Sequence, residues 1–268
     1  MLRAFENPGL QELCTAIAYG NKDEALACRK SLDIQTNFLC IQNMDEVADN
    51  RLNLYQLSGD GASAETVAVQ ALEDKQIDAL VVCRGEGTAA GNGCEVLLTD
   101  DVCMYVADSL DVSDLQNFRR TLERDFGCCG PRIAILADDR QTVSALEAQI
   151  DEAKLINYGV YGFDAFFDDE VYRCFDGAVT VQKTQAEEWL RKMSEEYGVR
   201  CVTVGGRLVP CTTHAVAKDR DAAVADLCHA IYIAIDIVRS QHDYDVARVN
   251  PLQKMYHDKR EDNRKNIE

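Results

Sequence analysis

Apolar positions along this chain follow two alternating patterns. Short β-rich or continuously apolar segments predict strands, and longer segments with apolar residues three or four positions apart predict helices. The predicted strands are residues 14–20, 37–44, 52–59, 77–84, 103–109, 131–139, 177–182 and 199–206. The predicted helices are residues 21–32, 63–76, 113–127, 140–156, 184–198 and 220–240. This alternation predicts an α/β fold with a mostly parallel sheet and helices on both faces.

Two of these segments are informative beyond their element type. Residues 77–84 are apolar almost throughout, which is typical of a strand buried on both faces. The helix over 220–240 is apolar almost all round, which is typical of a core or subunit-interface helix. Ligands of parallel sheets bind beyond the carboxyl ends of strands, so candidate site residues are sought in the loops there. The loops follow Cys83, Ser109, Leu136, Val181 and Val204.

The net charge of the chain limits the kinds of molecule that it is expected to bind. The 268 residues carry a formal net charge of -18, which argues against binding nucleic acid or an anionic membrane surface. No apolar run approaches the roughly 20 residues of a membrane span. The first residues show no secretory signal, so we expect a cytoplasmic protein.

Cysteine and histidine are distributed unevenly. The twelve cysteines include no CxxC pair, and most stand in apolar runs, so we expect buried free thiols rather than disulfides or a metal site. The four histidines are His214, His229, His242 and His257, so histidine chemistry must come from the last fifth of the chain. His229 lies inside the apolar helix, where a packed residue is expected.

Two predicted loops offer weak candidates. Residues 84–95 are glycine-rich but lack the P-loop pattern, so a surface loop is favoured over a phosphate cradle. Asp138 and Asp139 follow the strand over 131–139. They could bind a hard cation through oxygen or cap the following helix, and capping is favoured.

Polar residues gather before the long helix. Arg207 precedes Cys211, Thr212, Thr213 and His214, which predicts a polar site after a strand. The alternative is a histidine satisfied in a turn. A further alternative is a thiol enzyme in which Cys94 or Cys211 acts as nucleophile with His214.

Several longer segments occur in the same order in one enzyme family. They are LRAFENPGLQELCTAIAYGN (2–21), KQIDALVV (75–82), VADSL (106–110), ERDFG (123–127) with PRIAIL (131–136), YGFDAFF (161–167), YRCFDGAV (172–179) and HAIYIAIDIVRSQHDYDVARVNPL (229–252). By these segments the chain resembles the 4-hydroxythreonine-4-phosphate dehydrogenase (PdxA) family of vitamin B6 biosynthesis. The resemblance implies a three-layer α/β/α fold like that of isocitrate and isopropylmalate dehydrogenases. It also implies one unit over 1–268 with two interleaved lobes around a cleft, and a homodimer with its active sites between subunits.

The same resemblance implies a chemistry and a set of working residues. In the family, NAD(P) takes hydride from the substrate alcohol, and a divalent metal held by three histidines polarises the substrate oxygens. Those histidines fall here at residues 110–114, 137–142 and 180–185, and none of these segments contains histidine. The chain also begins in the helix that follows the family's first strand and glycine-rich turn.

The family's substrate-binding residues are matched only in part. Its GHTE appears as Gly91-Asn92-Gly93-Cys94-Glu95, and its late histidine motif as Cys211-Thr212-Thr213-His214-Ala215. Its substrate-binding arginine aligns with Val209, or with Arg207 after a shift. The substrate-binding candidates that the resemblance implies are Glu95, Arg207, Thr212, Thr213 and His214, with Asp138 and Asp139 as the alternative metal ligands.

These departures predict a PdxA-like protein without the family's metal-dependent dehydrogenase activity. We expect no divalent metal site of the family type, while NAD(P) and a phosphorylated small molecule remain ligands that the resemblance implies. The alternatives are an active oxidoreductase with a rebuilt site, or a regulatory partner that binds a small ligand or pairs with a true dehydrogenase. A separate polypeptide could complete the N-terminal part of the site.

One match is misleading. The family's third metal motif contains MYHD, and MYHD occurs here at 255–258. It lies in the charged segment 250–268, after the long helix, whereas the family motif follows the strand that matches 175–179. We therefore expect His257 to be a surface residue of a charged C-terminal tail.

Overall fold

The computed structural model describes residues 1–57, 63–83, 95–98, 102–107, 109, 111–154, 156–193, 199–204, 207–212 and 220–249. Its strands are β1 (Ile17–Gly20), β2 (Phe38–Ile41), β3 (Leu52–Gln56), β4 (Val82–Cys83), β5 (Glu95–Leu98), β6 (Cys103–Val106), β7 (Ile133–Leu136), β8 (Asn157–Tyr161), β9 (Gly177–Thr180), β10 (Val199–Val204) and β11 (Arg207–Thr212). Its α-helices are α1 (Pro8–Leu13), α2 (Lys22–Ser31), α3 (Ala64–Glu73), α4 (Val112–Arg124), α5 (Arg140–Glu152), α6 (Phe163–Asp168), α7 (Lys183–Met193) and α8 (Arg220–Val249). Within these described ranges, three short 3-10 helices cover Leu2–Glu6, Met44–Glu46 and Val171–Cys174.

The described strands form two sheets. A three-stranded parallel sheet has the order β1-β3-β2, and an eight-stranded sheet has the order β4-β11-β10-β5-β6-β9-β7-β8. In the larger sheet β6, β9, β7 and β8 run parallel, whereas β5 pairs antiparallel with β6 and β10, and β10 pairs antiparallel with β11. The prediction of an α/β fold with mostly parallel pairing is confirmed.

Alternating side chains of the larger sheet fill two cores. On one face Tyr105, Ile135 and Val179 pack with residues of α4, α5 and α8. On the other face Met104 and Leu136 pack with residues of α6 and α7. Because successive strand residues point to opposite faces, this alternation places helices on both sides of the sheet. The result is the three-layer α/β/α arrangement that the resemblance implies.

Most predicted elements are found, and local capping explains where several of the helices begin. Asn21 and Ser63 accept hydrogen bonds from the first turns of α2 and α3. These side chains satisfy backbone N–H groups that have no partner within the helix. Gly127, which was expected to end α4, has a φ of 70° three residues beyond the last helical residue, Arg124. That left-handed conformation is the one that glycine adopts without steric cost.

Several described segments differ from the sequence prediction. The apolar run over 77–84 contributes only the two-residue strand β4, and Cys83 is exposed, so the expectation of a strand buried on both faces is wrong. Strands β5, β8 and β11 were not predicted. Helix α8 continues beyond Ser240 to Val249. The segment 250–268, with His257, lies outside the described residues.

None of the described helices is both long and apolar enough to cross a membrane. The division of the chain into two lobes stays a prediction, as does the charged tail.

Candidate functional site: the carboxyl edge of the larger sheet

Four parallel strands of the larger sheet end side by side. Their last residues are Val106 of β6, Thr180 of β9, Leu136 of β7 and Tyr161 of β8. We call this line of strand ends the carboxyl edge. It is the edge at which α/β proteins bind their ligands. The three segments where the resemblance expects histidines, 110–114, 137–142 and 180–185, follow or include the ends of β6, β7 and β9, which are neighbours in the sheet.

Asp138 connects three elements at this edge. Its Oδ1 accepts a 3.1 Å hydrogen bond from the backbone N–H of Phe163, the first residue of α6. Its own backbone N–H donates to Oε1 of Gln182, just beyond β9, at 3.1 Å. The Asp138 carboxylate therefore binds the start of α6, which lies 25 positions further along the chain. It does not bind the start of α5, the helix that directly follows Asp138.

Asp139 caps the helix that follows it. Its Oδ1 accepts a 2.8 Å hydrogen bond from the backbone N–H of Thr142, so it is the N-cap of α5. Hydrogen bonds from Thr142 hold the pKa of this carboxyl below its ordinary value, because they stabilise the ionised form. The favoured sequence interpretation, helix capping, is confirmed for Asp139.

A third aspartate has the same role beyond β6. Oδ1 of Asp111 accepts hydrogen bonds from the backbone N–H of Asp114 at 2.8 Å and from the hydroxyl of Ser113 at 2.7 Å. The Asp114 side chain accepts in return from the Asp111 backbone, which completes a capping box at the start of α4. These bonds lower the pKa of Asp111, the one with Asp114 most of all. The D-x-x-D spacing before an amphipathic run is the sequence signal for this cap, and sequence reasoning missed it.

Strand register places two further candidates at the same edge. Glu95 begins β5 opposite Val106, the last residue of β6. Arg207 begins β11 opposite Val204, the last residue of β10. Because β5 and β11 run opposite to β6 and β10, the first residues of both strands lie at the carboxyl edge.

Thr212 lies at the other edge. It ends β11 and pairs with Cys83 at the end of β4. At about 3.3 Å per residue, the length of β11 separates the Cα atoms of Arg207 and Thr212 by roughly 17 Å. The expectation of a polar loop after a strand is therefore wrong for residues 207–212, since these residues are themselves a strand and its two ends cannot share a small site.

The remaining candidates divide into described and undescribed residues. Thr213, His214 and Cys94 lie outside the described residues. Cys211 lies in β11 and is 2% exposed, packed with Leu72, Val82 and Val209. His229 and His242 both lie on α8.

The donor set at the carboxyl edge does not fit the metal site that the resemblance implies. Among the described residues, no three His, Cys, Asp or Glu side chains are grouped so that they could hold a metal ion. The polar groups at the three relevant strand ends include Asp111, Asp138, Asp139 and Gln182, and an oxygen of each accepts a backbone N–H. These groups are oxygen acceptors occupied in helix and loop structure, whereas the site that the resemblance implies uses imidazole nitrogens as neutral donors.

Comparisons of sequence and of structure both find similarity to 4-hydroxythreonine-4-phosphate dehydrogenases. No protein-family model matches the chain. A 4-hydroxythreonine-4-phosphate dehydrogenase of Bacteroides thetaiotaomicron is 27% identical over 334 residues, covering 99% of this chain and 92% of that protein. Since the alignment is longer than the 268 residues of this chain, internal segments of the relative have no counterpart here.

Solved structures share the fold at low identity. A proposed 4-hydroxythreonine-4-phosphate dehydrogenase of Salmonella typhimurium aligns with a TM-score of 0.69 and 14% identity, over 88% of this chain and 94% of that one. The 4-hydroxythreonine-4-phosphate dehydrogenase of Klebsiella pneumoniae aligns with a TM-score of 0.63 and 14% identity, over 86% of this chain and 94% of that one. A terephthalate 1,2-cis-dihydrodiol dehydrogenase of Burkholderia xenovorans aligns with a TM-score of 0.53 and 12% identity, over 87% of this chain and 92% of that one.

Proposed function

We infer the function of this chain from its kinship with the 4-hydroxythreonine-4-phosphate dehydrogenases, which it resembles along its whole length. We propose that it is a PdxA-like protein that retains the α/β/α scaffold and acts by binding a small phosphorylated molecule, without the metal-dependent dehydrogenation of its relatives. The dimeric state that the resemblance implies is part of this proposal.

One observation carries the proposal. At three neighbouring strand ends, oxygens of Asp111, Asp138 and Asp139 accept backbone N–H groups that open α4, α6 and α5. A divalent cation that polarises a substrate alcohol needs ligands whose lone pairs converge on it. Here the carboxylate oxygens are directed to three different helix starts. They therefore hold these helices in place and do not converge on one point.

A second candidate function rests on register. Glu95, Arg207 and Asp138 all lie at the carboxyl edge, although on different strands. A carboxylic acid, a guanidinium cation and an oxygen ligand at one edge are components that an oxidoreductase with a rebuilt site could use. This alternative keeps the hydride-transfer chemistry of the relatives and replaces their metal ligands.

The deciding experiment measures metal content and turnover together. Purified full-length protein is assayed for NAD(P) reduction with 4-hydroxythreonine-4-phosphate and added divalent metal, beside the Bacteroides thetaiotaomicron enzyme as positive control. The proposal expects no reduction above background and no stoichiometric metal by elemental analysis. It expects a ligand-dependent rise in melting temperature with a phosphorylated substrate analogue. Metal-dependent turnover comparable to that of the control enzyme would refute it.

A pair of variants addresses the second candidate. Asp138→Ala with Asp139→Ala should abolish any turnover if these carboxylates bind a catalytic metal. Ser63→Ala, which removes a helix cap on the smaller sheet's side of the chain, is the matched control and should leave turnover intact. Circular dichroism of each variant separates loss of chemistry from loss of folding.

A further inference from the structure

The turn between α4 and β7 contains two adjacent cysteines flanked by glycines, Gly127-Cys128-Cys129-Gly130. Both glycines have left-handed backbone conformations, with φ of 70° and 67°. Cys129 is exposed to solvent, whereas Cys128 is partly buried. The turn thus presents one accessible thiol directly beside a shielded one.

The shielded thiol is part of the packing around α4. Cys128 contacts the core cluster that includes Phe118 and Leu122, and its backbone N–H donates to the Leu122 carbonyl at 2.9 Å. Its Sγ lies 3.8 Å from the carbonyl oxygen of Phe126. Burial, followed by the nearby Asp176 and Cys129, raises the pKa of this thiol.

Adjacent cysteines can form a disulfide only if their side chains turn to the same side of the backbone. In this turn they have different exposures, so the dipeptide must rotate. Gly127 and Gly130 lack Cβ atoms and allow that rotation from either end. A Cβ added to Gly130 would meet nothing within 4 Å, so there is open space on that side of the turn.

We propose that Cys128 and Cys129 form a redox-active dithiol, a site for reversible oxidation by low-molecular-weight disulfides. The Cys129 thiolate attacks a small disulfide such as oxidised glutathione, forms a mixed disulfide and releases one glutathione thiolate. The Cys128 thiolate then attacks the Cys129 sulfur, forms the Cys128–Cys129 disulfide and releases the second glutathione thiolate. The two cysteines lose two protons and two electrons, and the electrons reduce the small disulfide to two thiols.

Ring strain makes this oxidation reversible. Consecutive Cα atoms are about 3.8 Å apart, below the roughly 4.4 Å at which ordinary disulfides begin. A strained and exposed disulfide is more readily reduced than a structural one. The product is therefore suited to a compartment that keeps most thiols reduced, where it would form transiently.

Oxidation at this turn is expected to disturb the packing between α4 and α8. A Cβ on Gly127 would lie 3.9 Å from the Ser240 hydroxyl of α8, so the turn sits against that helix. Two residues earlier, Asp125 accepts a hydrogen bond from Gln241 of α8 at 2.8 Å. Drawing Cys128 out of the core is expected to loosen this contact and lower the melting temperature.

The test treats the reduced full-length protein with oxidised glutathione and maps the products by digestion and mass spectrometry. The peptide that holds the turn should lose the mass of two hydrogens and carry no glutathione. Exposed Cys174, which has no adjacent cysteine, should carry glutathione and report that the oxidant reacted. Dithiothreitol should restore both thiols of the turn and the melting temperature.

Two variants distinguish resolution from simple modification. Cys128→Ser should trap glutathione on Cys129, and Cys129→Ser should leave the turn without a disulfide. Cys174→Ser is the control and should leave the internal disulfide unchanged. The proposal is overturned if the wild-type turn retains glutathione on Cys129, or stays unmodified while Cys174 is fully modified.

Discussion

The side-chain amide of Gln241 donates a 2.8 Å hydrogen bond to Oδ1 of Asp125 and so joins the end of α4 to α8. Asp125 is only 7% exposed, and burial is the main cause of its raised pKa. The hydrogen bond and the charges of Arg124 and Arg120 act in the opposite direction without reversing it. The hydrogen bond therefore joins two defined atoms, yet it holds the Asp125 carboxylate in a buried position that disfavours its negative charge.

This relationship predicts an inverted pH dependence for one carboxyl. The pKa of Asp125 is higher in the folded than in the unfolded chain. Its contribution to stability is therefore fully present below about pH 3.9 and is lost as the pH rises through the folded pKa. Asp125→Asn keeps an oxygen that accepts from Gln241 and removes the charge. We expect the variant to be more stable than the wild type at pH 7, with the gain vanishing at acidic pH, as measured by urea unfolding across pH.

The control for that prediction is a similar pair on the surface. Asp74 accepts a 3.0 Å hydrogen bond from Gln70, but this pair is exposed. Asp74→Asn should leave stability at pH 7 nearly unchanged. An equal gain in both variants would show that burial of Asp125 is not the cause.

The N-cap of α5 predicts the opposite pH behaviour. The pKa of Asp139 is lowered by hydrogen bonds from Thr142, so its contribution is present above the ordinary pKa and is lost as the pH falls through the folded one. Asp139→Ala should lower the melting temperature at neutral pH and lose this difference in strong acid. Asp139→Asn, which can still cap, should retain most of the stability without the pH dependence. An unchanged melting temperature in Asp139→Ala would contradict the capping role.

Gly177 predicts a steric conflict in the core. A Cβ at this position would lie 2.8 Å from Cζ of Phe118 and 3.0 Å from Cδ1 of Leu122, both fully buried. Gly177→Ala should therefore lower the free energy of unfolding by about 1–3 kcal/mol, as measured by chemical denaturation. Adding Phe118→Leu should recover part of the effect of Gly177→Ala by making room. Gly20→Ala is the matched strand control, because its Cβ would meet Leu54 at 3.8 Å, an ordinary contact.

The single tryptophan predicts a spectroscopic readout for the layer of α6 and α7. Trp189 stacks on Phe167 with ring centroids 5.0 Å apart, and the Lys192 ammonium lies 3.9 Å from its ring centre. Phe167→Ala should cost about 3–5 kcal/mol and shift tryptophan emission to longer wavelength as water reaches the indole. Lys192→Ala should cost no more than about 1 kcal/mol. Unshifted emission in Phe167→Ala would mean that the stacking is not maintained in solution.

Local signals were sufficient for the elements that local contacts determine. Asp139 was recognised because it caps the helix that directly follows it, so the signal and its partner are neighbours in sequence. Asp138 was not assigned to α6, since its partner Phe163 is 25 positions away and only the pairing of β7 with β8 brings them together. Long-range pairing is not encoded in any short pattern.

The same reason explains the missed strand β11. Residues 207–212 contain Pro210, which lacks a backbone N–H, and polar residues at the end, so the local pattern was typical of a loop. Its strand conformation depends on antiparallel pairing with β10 and on the short parallel pairing with β4. Sequence reasoning therefore identified the polar residues but could not place them at two different edges of one sheet.

The capping of α4 and α5 also bears on how this chain could change over evolutionary time. Asp111 and Asp139 occupy segments in which the family resemblance expects metal-binding histidines. Replacing either one with histidine would remove a helix cap at once, whereas a metal would bind only after several such replacements. Each single replacement toward a histidine site would therefore lower stability with no compensating gain, so selection for stability tends to retain the two aspartates.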